Sequence, residues 1–154
     1  MRSLKMVEDL RSFQSDFSKR LEFQKTTYLL QEAGADLGYR FGWYLHGPYS
    51  SSYADDAYSL AVLPKEYFDS VQESVDESVL RKVRDLLDSV PSTKNSSYWL
   101  ELLSCVHFVK RHSYPKVNSK KQVVDYLLKL KGKRFSESDI YKAYDLLQNK
   151  SFLE

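Results

Sequence analysis

The side chains best able to do chemistry in this sequence are three histidines, one cysteine and scattered acidic residues. The histidines are His46, His107 and His112, and the cysteine is Cys105. Enzymes place such groups in recognisable motifs, such as G-x-S-x-G, H-E-x-x-H or C-x-x-C, because nucleophile, base and metal ligands must face one another. The sequence contains none of these motifs, no phosphate-binding loop and no G-x-G-x-x-G. We therefore predict a protein that is not an enzyme and uses no cofactor.

The positions of the histidines and the cysteine favour structural roles. His107 and His112 are five residues apart, so on one helix their side chains diverge by more than a third of a turn. Two metal ligands on one helix face would be three or four residues apart. Cys105 lies within an apolar helical pattern, which is typical of a small core residue. The sequence predicts no metal site and no cysteine nucleophile.

Aromatic residues crowd between positions 39 and 58, in a segment that also contains glycine and proline. Side chains of a strand alternate between two faces. The face expected to be buried carries Tyr39, Phe41, Trp43 and Leu45. Two interpretations stay open, a core strand with its flanking helix or a partner-binding surface, since Tyr and Trp are common interface anchors. The residues predicted to bind a protein partner are Tyr44, His46, Gly47, Pro48, Tyr49 and Tyr53.

Basic residues are concentrated in the last third of the chain. Residues 1–104 carry 12 Lys and Arg against 16 Asp and Glu, a formal charge of −4, whereas residues 105–154 carry 11 against 5, a charge of +6. A helix, a glycine-containing turn and a second helix are predicted over 119–149, an order compatible with a helix-turn-helix. The alternative function is therefore a winged-helix-like DNA-binding regulator. Its predicted phosphate contacts are Lys110, Arg111, Lys116, Lys120, Lys121, Lys131, Lys133 and Arg134.

Helical periodicity dominates the rest of the sequence. With 154 residues, 42% hydrophobic side chains and only 5 Gly and 4 Pro, the composition disfavours both disorder and turn-rich all-β folds. We predict a mostly α fold, a compact helical domain of about six to eight helices with a small β element near residues 39–46. The whole chain, residues 1–154, is predicted to form one domain.

Several helix boundaries can be predicted from capping residues. A first short helix is expected around Leu4, Val7 and Leu10, and a second from about Asp16 to Ala33, ended by Gly34. The extended aromatic segment is expected to end in a turn at Gly47 and Pro48. A further short helix is expected from Pro64 to about Gln72. Four helices are predicted to begin at capping boxes, which are Ser52 with Asp55, Ser74 with Glu77, Ser119 with Gln122 and Ser136 with Asp139.

The single cysteine and the N-terminal residues bear on location. One cysteine cannot form an internal disulfide, which fits a reducing compartment. Acidic residues at Glu8 and Asp9 come too early for a signal peptide, and no apolar run approaches the ~20 residues of a membrane helix. We predict a cytoplasmic protein that does not enter the membrane.

Two segments together resemble a known family. Residues 21–31 read LEFQKTTYLLQ, and residues 39–50 read YRFGWYLHGPYS. This pairing of a Gln-Lys helix with an aromatic segment and Gly-Pro is similar to the Panacea-domain family of SocA-like antitoxins and phage-associated proteins. It is closer still to their uncharacterised prokaryotic YwgA-type relatives. The similarity covers about residues 18–60.

The resemblance implies a compact α-rich domain with a small β element and no enzyme activity. It also implies an antitoxin-like or adaptor-like role, in which the partner is another protein such as a toxin. The residues that carry the resemblance are Gln24, Lys25, Tyr28, Phe41 and Trp43. Gln24 and Lys25 are open to two interpretations, as side chains that hydrogen-bond carbonyls of the Gly-Pro segment or as part of a binding site. The sequence as a whole predicts a protein-binding module that uses the aromatic Gly-Pro segment.

Overall fold

The computed structural model describes residues 10–69 and 75–154. The predicted mostly α fold is confirmed, with seven α-helices and one two-stranded antiparallel sheet within these residues. The elements in chain order are α1 Phe17–Glu32, β1 Gly42–Tyr44, β2 Gly47–Tyr49, α2 Ser51–Ala61, α3 Lys65–Asp69, α4 Glu77–Asp88, α5 Ser96–His112, α6 Lys120–Lys131 and α7 Glu137–Asn149. Short 3₁₀ helices cover Leu10–Gln14 and Gly132–Arg134. Every helix in the described ranges is too short or too polar to traverse a lipid bilayer.

Helices α1 and α5 form the centre of the fold. They run parallel, because Glu22 contacts Ser97 at one end and Glu32 contacts His112 at the other. Both helices bury residues all round rather than on one face, which is typical of helices enclosed by other elements. The hairpin and the helices α6 and α7 pack around α5.

Among the described residues, the core consists of two clusters of buried side chains. The larger cluster includes Tyr28 from α1, Val83 from α4, Trp99 from α5, Val123 from α6 and Ile140 from α7. The smaller cluster joins the first 3₁₀ helix, α1 and α2, and its members are Leu10, Phe13, Phe23, Tyr53, Ala57 and Ala61. The hairpin packs against α1 and α5.

The predicted boundaries of α1 and α6 are confirmed by their caps. Gly34, with φ of 122°, follows α1, where its amide donates to Gln31 at 3.1 Å and the amide of Ala35 donates to Leu30 at 3.0 Å. This pair of bonds is a Schellman motif, which needs a residue in the left-handed region. Ser119 and Gln122 form both halves of the capping box at the start of α6.

Two other capping predictions are wrong. Helix α2 begins at Ser51, and its cap is Ser50, whose hydroxyl accepts the amide of Tyr53, so Ser52 lies within the helix. The cap of α4 is Asp76 and not the predicted Ser74. Asp76 directly precedes the helix, and its carboxylate accepts a hydrogen bond from the amide of Ser78. Ser74 lies outside the described residues, as does the first predicted helix apart from Leu10. Helix α3 covers only Lys65–Asp69 of the predicted range, whose final residues are outside as well.

Candidate functional site

The predicted β element is a tight hairpin, shifted towards the C-terminus of its expected position. Trp43 pairs with Pro48 and Tyr44 pairs with Gly47, so Leu45 and His46 form the turn. The prediction of a turn at Gly47 and Pro48 is therefore wrong, because both residues lie in β2. The reason is that Gly47, with φ of 87°, supplies the left-handed conformation needed just after the two-residue turn.

Close packing against α5 gives Gly47 a second role. A Cβ atom at position 47 would lie 2.4 Å from Sγ of Cys105, far closer than van der Waals contact. Cys105 itself is fully buried, and burial raises the pKa of its thiol to about 12. The thiol is therefore a packing surface for the hairpin, which agrees with the core role predicted for it.

Two glutamines of α1 hold the flanks of the hairpin. Gln24 donates to the carbonyl of Ser50 at 2.9 Å and accepts the amide of Ser50 at 3.1 Å. Gln31 makes the same pair of bonds to Tyr39, at 2.7 Å and 3.0 Å. Gln31 was not predicted to contact the hairpin, although its spacing of seven residues from Gln24 places the two on one helix face.

Lys25 completes the attachment from α1. Its Nζ donates to the carbonyl of Pro48 at 2.5 Å, and the residue is only 2% exposed. Burial lowers the pKa of the Lys25 ammonium to about 8. The contacts of Gln24 and Lys25 are therefore with backbone groups of the Gly-Pro segment. Of the other motif residues, Tyr28 is fully buried, while Phe41 and Trp43 pack against the core.

The end of α6 holds the hairpin from the other side. Nζ of Lys131 donates to the carbonyl of Leu45 at 2.6 Å and lies 5.1 Å from the centre of the Trp43 ring. It also lies 4.0 Å from Oε1 of Glu101, a carboxylate of α5 that is 1% exposed. The guanidinium of Arg134 lies 2.6 Å from Oε2 of the same carboxylate. Nδ1 of His46 lies 3.7 Å from its Oε1. Glu101 was not predicted from the sequence, since its contacts form only when α5, α6 and the hairpin come together.

A cavity of about 280 Å³ opens beside the hairpin, between the hairpin, α1 and α2. We call it the hairpin pocket. Its rim carries apolar side chains that are exposed to solvent, with 83% of Leu45, 55% of Tyr44, 51% of Phe17 and 41% of Tyr58 accessible. Its basic side chains are Arg20, Lys25 and His46, and no aspartate or glutamate lines it within the described part of the chain.

Only part of the predicted protein-binding set reaches this surface. Tyr44, His46, Gly47 and Tyr49 line the hairpin pocket, and Tyr44 is well exposed. Gly47 and Pro48 are buried, and Tyr53 is 2% exposed because its ring packs on Tyr39 with centres 5.2 Å apart. The predicted surface role of Tyr53 is therefore wrong. The apolar rim residues that the sequence analysis did not select are Phe17, Leu45 and Tyr58.

Many of the predicted phosphate contacts are engaged within the protein. Lys120 pairs with Asp145, Lys121 pairs with Asp125 at 2.7 Å, and Lys110 donates to the carbonyl of Asn118. Lys131 and Arg134 form ion pairs with Glu101. The other three predicted phosphate contacts are Arg111, Lys116 and Lys133. The order of α6, a 3₁₀ turn and α7 is as expected for the helix-turn-helix interpretation, but much of its positive charge is directed inward or paired.

A second polar cluster lies where α1 and α5 end. One ligand-capable atom from each of Glu32, His107 and His112 lies within 4.8 Å of the others. His107 is 1% exposed, and burial lowers its pKa to about 3, so its ring is neutral at physiological pH. Oε1 of Glu32 lies 3.0 Å from Nε2 of His112, nearer the surface. The prediction of no metal site was based on the divergence of the two histidines along one helix. The structure adds a third group, the Glu32 carboxylate from α1.

Comparison with known proteins adds no relative. No protein-family model, no curated protein and no solved structure matches the chain. The resemblance carried by residues 18–60 therefore stays a prediction.

Proposed function

We propose that this chain is a non-enzymatic protein-binding module, of the antitoxin or adaptor type that the Panacea resemblance implies, and that the hairpin pocket is its contact surface. The observation that carries the proposal is the exposure of Leu45 and Tyr44 at the rim of an apolar cavity. An aromatic ring and a leucine beside a pocket are typical of interface centres, where a few apolar anchors supply most of the binding energy.

The attachment of the hairpin supports the same proposal. The hairpin is hydrogen-bonded to α1 through Lys25 and its flank through Gln24, and to α6 through Lys131. A surface held in place before binding loses little conformational entropy when the partner arrives. The rim can therefore present Tyr44 and Leu45 in one arrangement, as expected of a specific contact surface.

The charges around the hairpin pocket favour an acidic partner. Arg20 donates to the carbonyls of Phe13 and Gln14, and Lys25 donates to that of Pro48, so these hydrogen bonds of both cations are to neutral groups. Complementary charge at an interface speeds association and excludes wrong partners. We expect the segment that enters the pocket to carry an apolar side chain with acidic residues beside it.

The chemistry of the lining supports binding rather than catalysis. Lys25 is hydrogen-bonded to a backbone carbonyl, and the Cys105 thiol beneath the hairpin has no exposed surface. A nucleophile must be accessible and within hydrogen-bonding reach of a base. His46 is the candidate base in the lining. Its Nδ1 lies 3.7 Å from Glu101, and within the described residues it makes no hydrogen bond to the Lys25 amine or the Cys105 thiol.

The proposal is tested by replacing Leu45 with aspartate. Leu45→Asp places a negative charge at the apolar rim, so a partner that docks there should bind at least about 30-fold more weakly, equivalent to about 2 kcal/mol. Partners are captured from the host with wild-type and variant protein, identified by mass spectrometry and then titrated as purified proteins. The side chain of Leu45 is 83% exposed, so the variant should fold normally.

Tyr114→Asp is the matched control for this experiment. Tyr114 is 98% exposed and lies in the connection between α5 and α6, outside the hairpin pocket. A partner retained by the wild type and by Tyr114→Asp but lost by Leu45→Asp supports the proposal. Partners captured equally by all three proteins would show that the pocket is not the contact surface.

A further inference from the structure

The cluster of Glu32, His107 and His112 has the chemistry of a metal site. The parallel arrangement of α1 and α5 brings the last residue of each helix, Glu32 and His112, to the same end of the fold. Helix C-termini carry partial negative charge from their unpaired carbonyls, which favours a cation there. His107 lies more than one turn earlier on α5 and faces α1 from the interior.

The hydrogen bonds of His107 determine which of its nitrogens is available. Nε2 lies 3.0 Å from the carbonyl of Phe152, and a carbonyl can only accept, so Nε2 carries the proton and donates it. Nδ1 then holds the free electron pair and accepts a hydrogen bond from the Tyr28 hydroxyl at 2.7 Å. A donor bond from one ring nitrogen to a backbone carbonyl, with the electron pair on the other, is the arrangement typical of histidines that bind metals.

Tyr28 identifies the side of His107 on which an ion would sit. Tyr28 and Glu32 are four residues apart on α1, so both face the same side of the helix. The hydroxyl of Tyr28 occupies the position in front of Nδ1, and the Glu32 carboxylate lies one turn further along, paired with His112. A zinc ion bound to Nδ1 would displace the Tyr28 hydroxyl group, which keeps its proton and moves aside, and would bring all three ligands onto one centre.

We propose that Glu32, His107 and His112 bind a zinc ion. Two imidazoles and one carboxylate are a ligand set that zinc accepts in proteins, with the fourth position left to water. The proton on Nε2 of His112, which points at Glu32, is released when this nitrogen binds the ion. Zinc bonds of about 2.0–2.2 Å require the ligand atoms to approach one another from their present separation of up to 4.8 Å. Glu32 and His112 can make this movement, because their side chains are 22% and 42% exposed at helix ends.

Isothermal titration calorimetry with zinc alone tests the proposal on the full chain. His112→Ala and Glu32→Gln each remove one ligand from a partly exposed position, so we expect both variants to fold and to bind zinc at least about tenfold more weakly than the wild type. His46→Ala is the control, since His46 belongs to the hairpin pocket, and it should bind zinc like the wild type. Circular dichroism verifies that each variant keeps its helices.

A second measurement removes the competing hydroxyl. Tyr28→Phe frees Nδ1 of His107 from its present partner, so zinc should bind at least as tightly to this variant as to the wild type. Cobalt replaces zinc as a spectroscopic probe, and its visible absorption should show a four-coordinate nitrogen and oxygen site in the wild type that is absent from His112→Ala. Equal zinc binding by the wild type, His112→Ala and Glu32→Gln would overturn the proposal, as would the absence of binding by the wild type and Tyr28→Phe.

Discussion

Gly47 is the residue whose replacement should reveal most about the hairpin. A side chain there meets two penalties, a backbone with φ of 87° and an atom 2.4 Å from Sγ of Cys105. We expect Gly47→Ala to lower the free energy of unfolding by about 2–4 kcal/mol, the sum of a left-handed conformation and an overpacked core. Urea denaturation followed by circular dichroism measures the change.

Two further variants separate the two penalties at Gly47. Gly38 has φ of 75° with no atom within 4 Å of a Cβ, so Gly38→Ala should cost only about 1–2 kcal/mol, the conformational part. The double variant Gly47→Ala with Cys105→Ala removes the sulfur atom and should recover part of the loss relative to the two single variants. Additive effects in the double variant would show that the contact with Cys105 is not the cause.

At the scale of single residues, burial on the aromatic segment was predicted only in part. Alternation along a strand correctly left Tyr44 exposed. It also placed Leu45 on the buried face, but Leu45 is 83% exposed. The alternation rule fails at Leu45 because the residue belongs to the turn, where the pleat ends. Tyr53 was misplaced for another reason, since the sequence does not show that Tyr39 and Phe23 cover it.

Among the elements, the hairpin and the end of α6 should be energetically coupled. Lys131→Ala removes the hydrogen bond to the Leu45 carbonyl and the contact with the Trp43 ring. We expect amides of β1 and β2 to exchange with solvent about 5–10-fold faster in this variant, equivalent to about 1 kcal/mol of local stability. Hydrogen exchange followed by mass spectrometry or NMR measures this protection.

Lys129→Ala is the control for the coupling of α6 to the hairpin. Lys129 lies on the same helix and is exposed, so its loss changes helix charge by the same amount without touching the hairpin. Exchange should stay at the wild-type rate in β1 and β2. If both variants accelerate exchange equally, the effect comes from α6 stability and the contact of Lys131 with the hairpin contributes nothing.

Helices were the elements most accessible to prediction. Asp16, Ser119 and Ser136 all cap helices in the structure, because a local hydrogen bond to a nearby amide depends on the sequence around it alone. Ser52 failed because Ser50, two residues earlier, already caps α2 directly after β2. The partners Glu101 and Glu32 were not foreseen, since each meets its histidine only through the packing of α1, α5 and the hairpin.

For the molecule as a whole, Lys25 makes stability depend on pH. Its pKa is about 8 in the folded protein against 10.5 for an ordinary lysine, so between these pH values the unfolded chain binds a proton that the folded chain has released. The contribution of Lys25 to the free energy of unfolding therefore increases between pH 8 and pH 10.5, by up to about 3 kcal/mol. Below pH 8 the buried charge opposes folding.

Lys25→Met should remove this pH dependence. The difference in free energy of unfolding between wild type and variant is expected to grow in favour of the wild type as the pH rises through the window, and urea titrations at several pH values measure it. Lys129→Met, at an exposed position, should follow the wild-type curve in parallel. A parallel curve for Lys25→Met as well would show that the ammonium is not desolvated in solution.

The two tryptophans of the chain occupy very different surroundings, with Trp99 1% exposed in the core and Trp43 on the hairpin below Lys131. A nearby cation perturbs the emission of an indole ring, whereas an apolar enclosure leaves it blue-shifted. A protein with Trp99 replaced by phenylalanine would therefore carry a single tryptophan, whose emission, excited selectively over that of the tyrosines, reports when the hairpin detaches or is covered. Titrations of partner, salt or denaturant could then be followed by light alone, without a label.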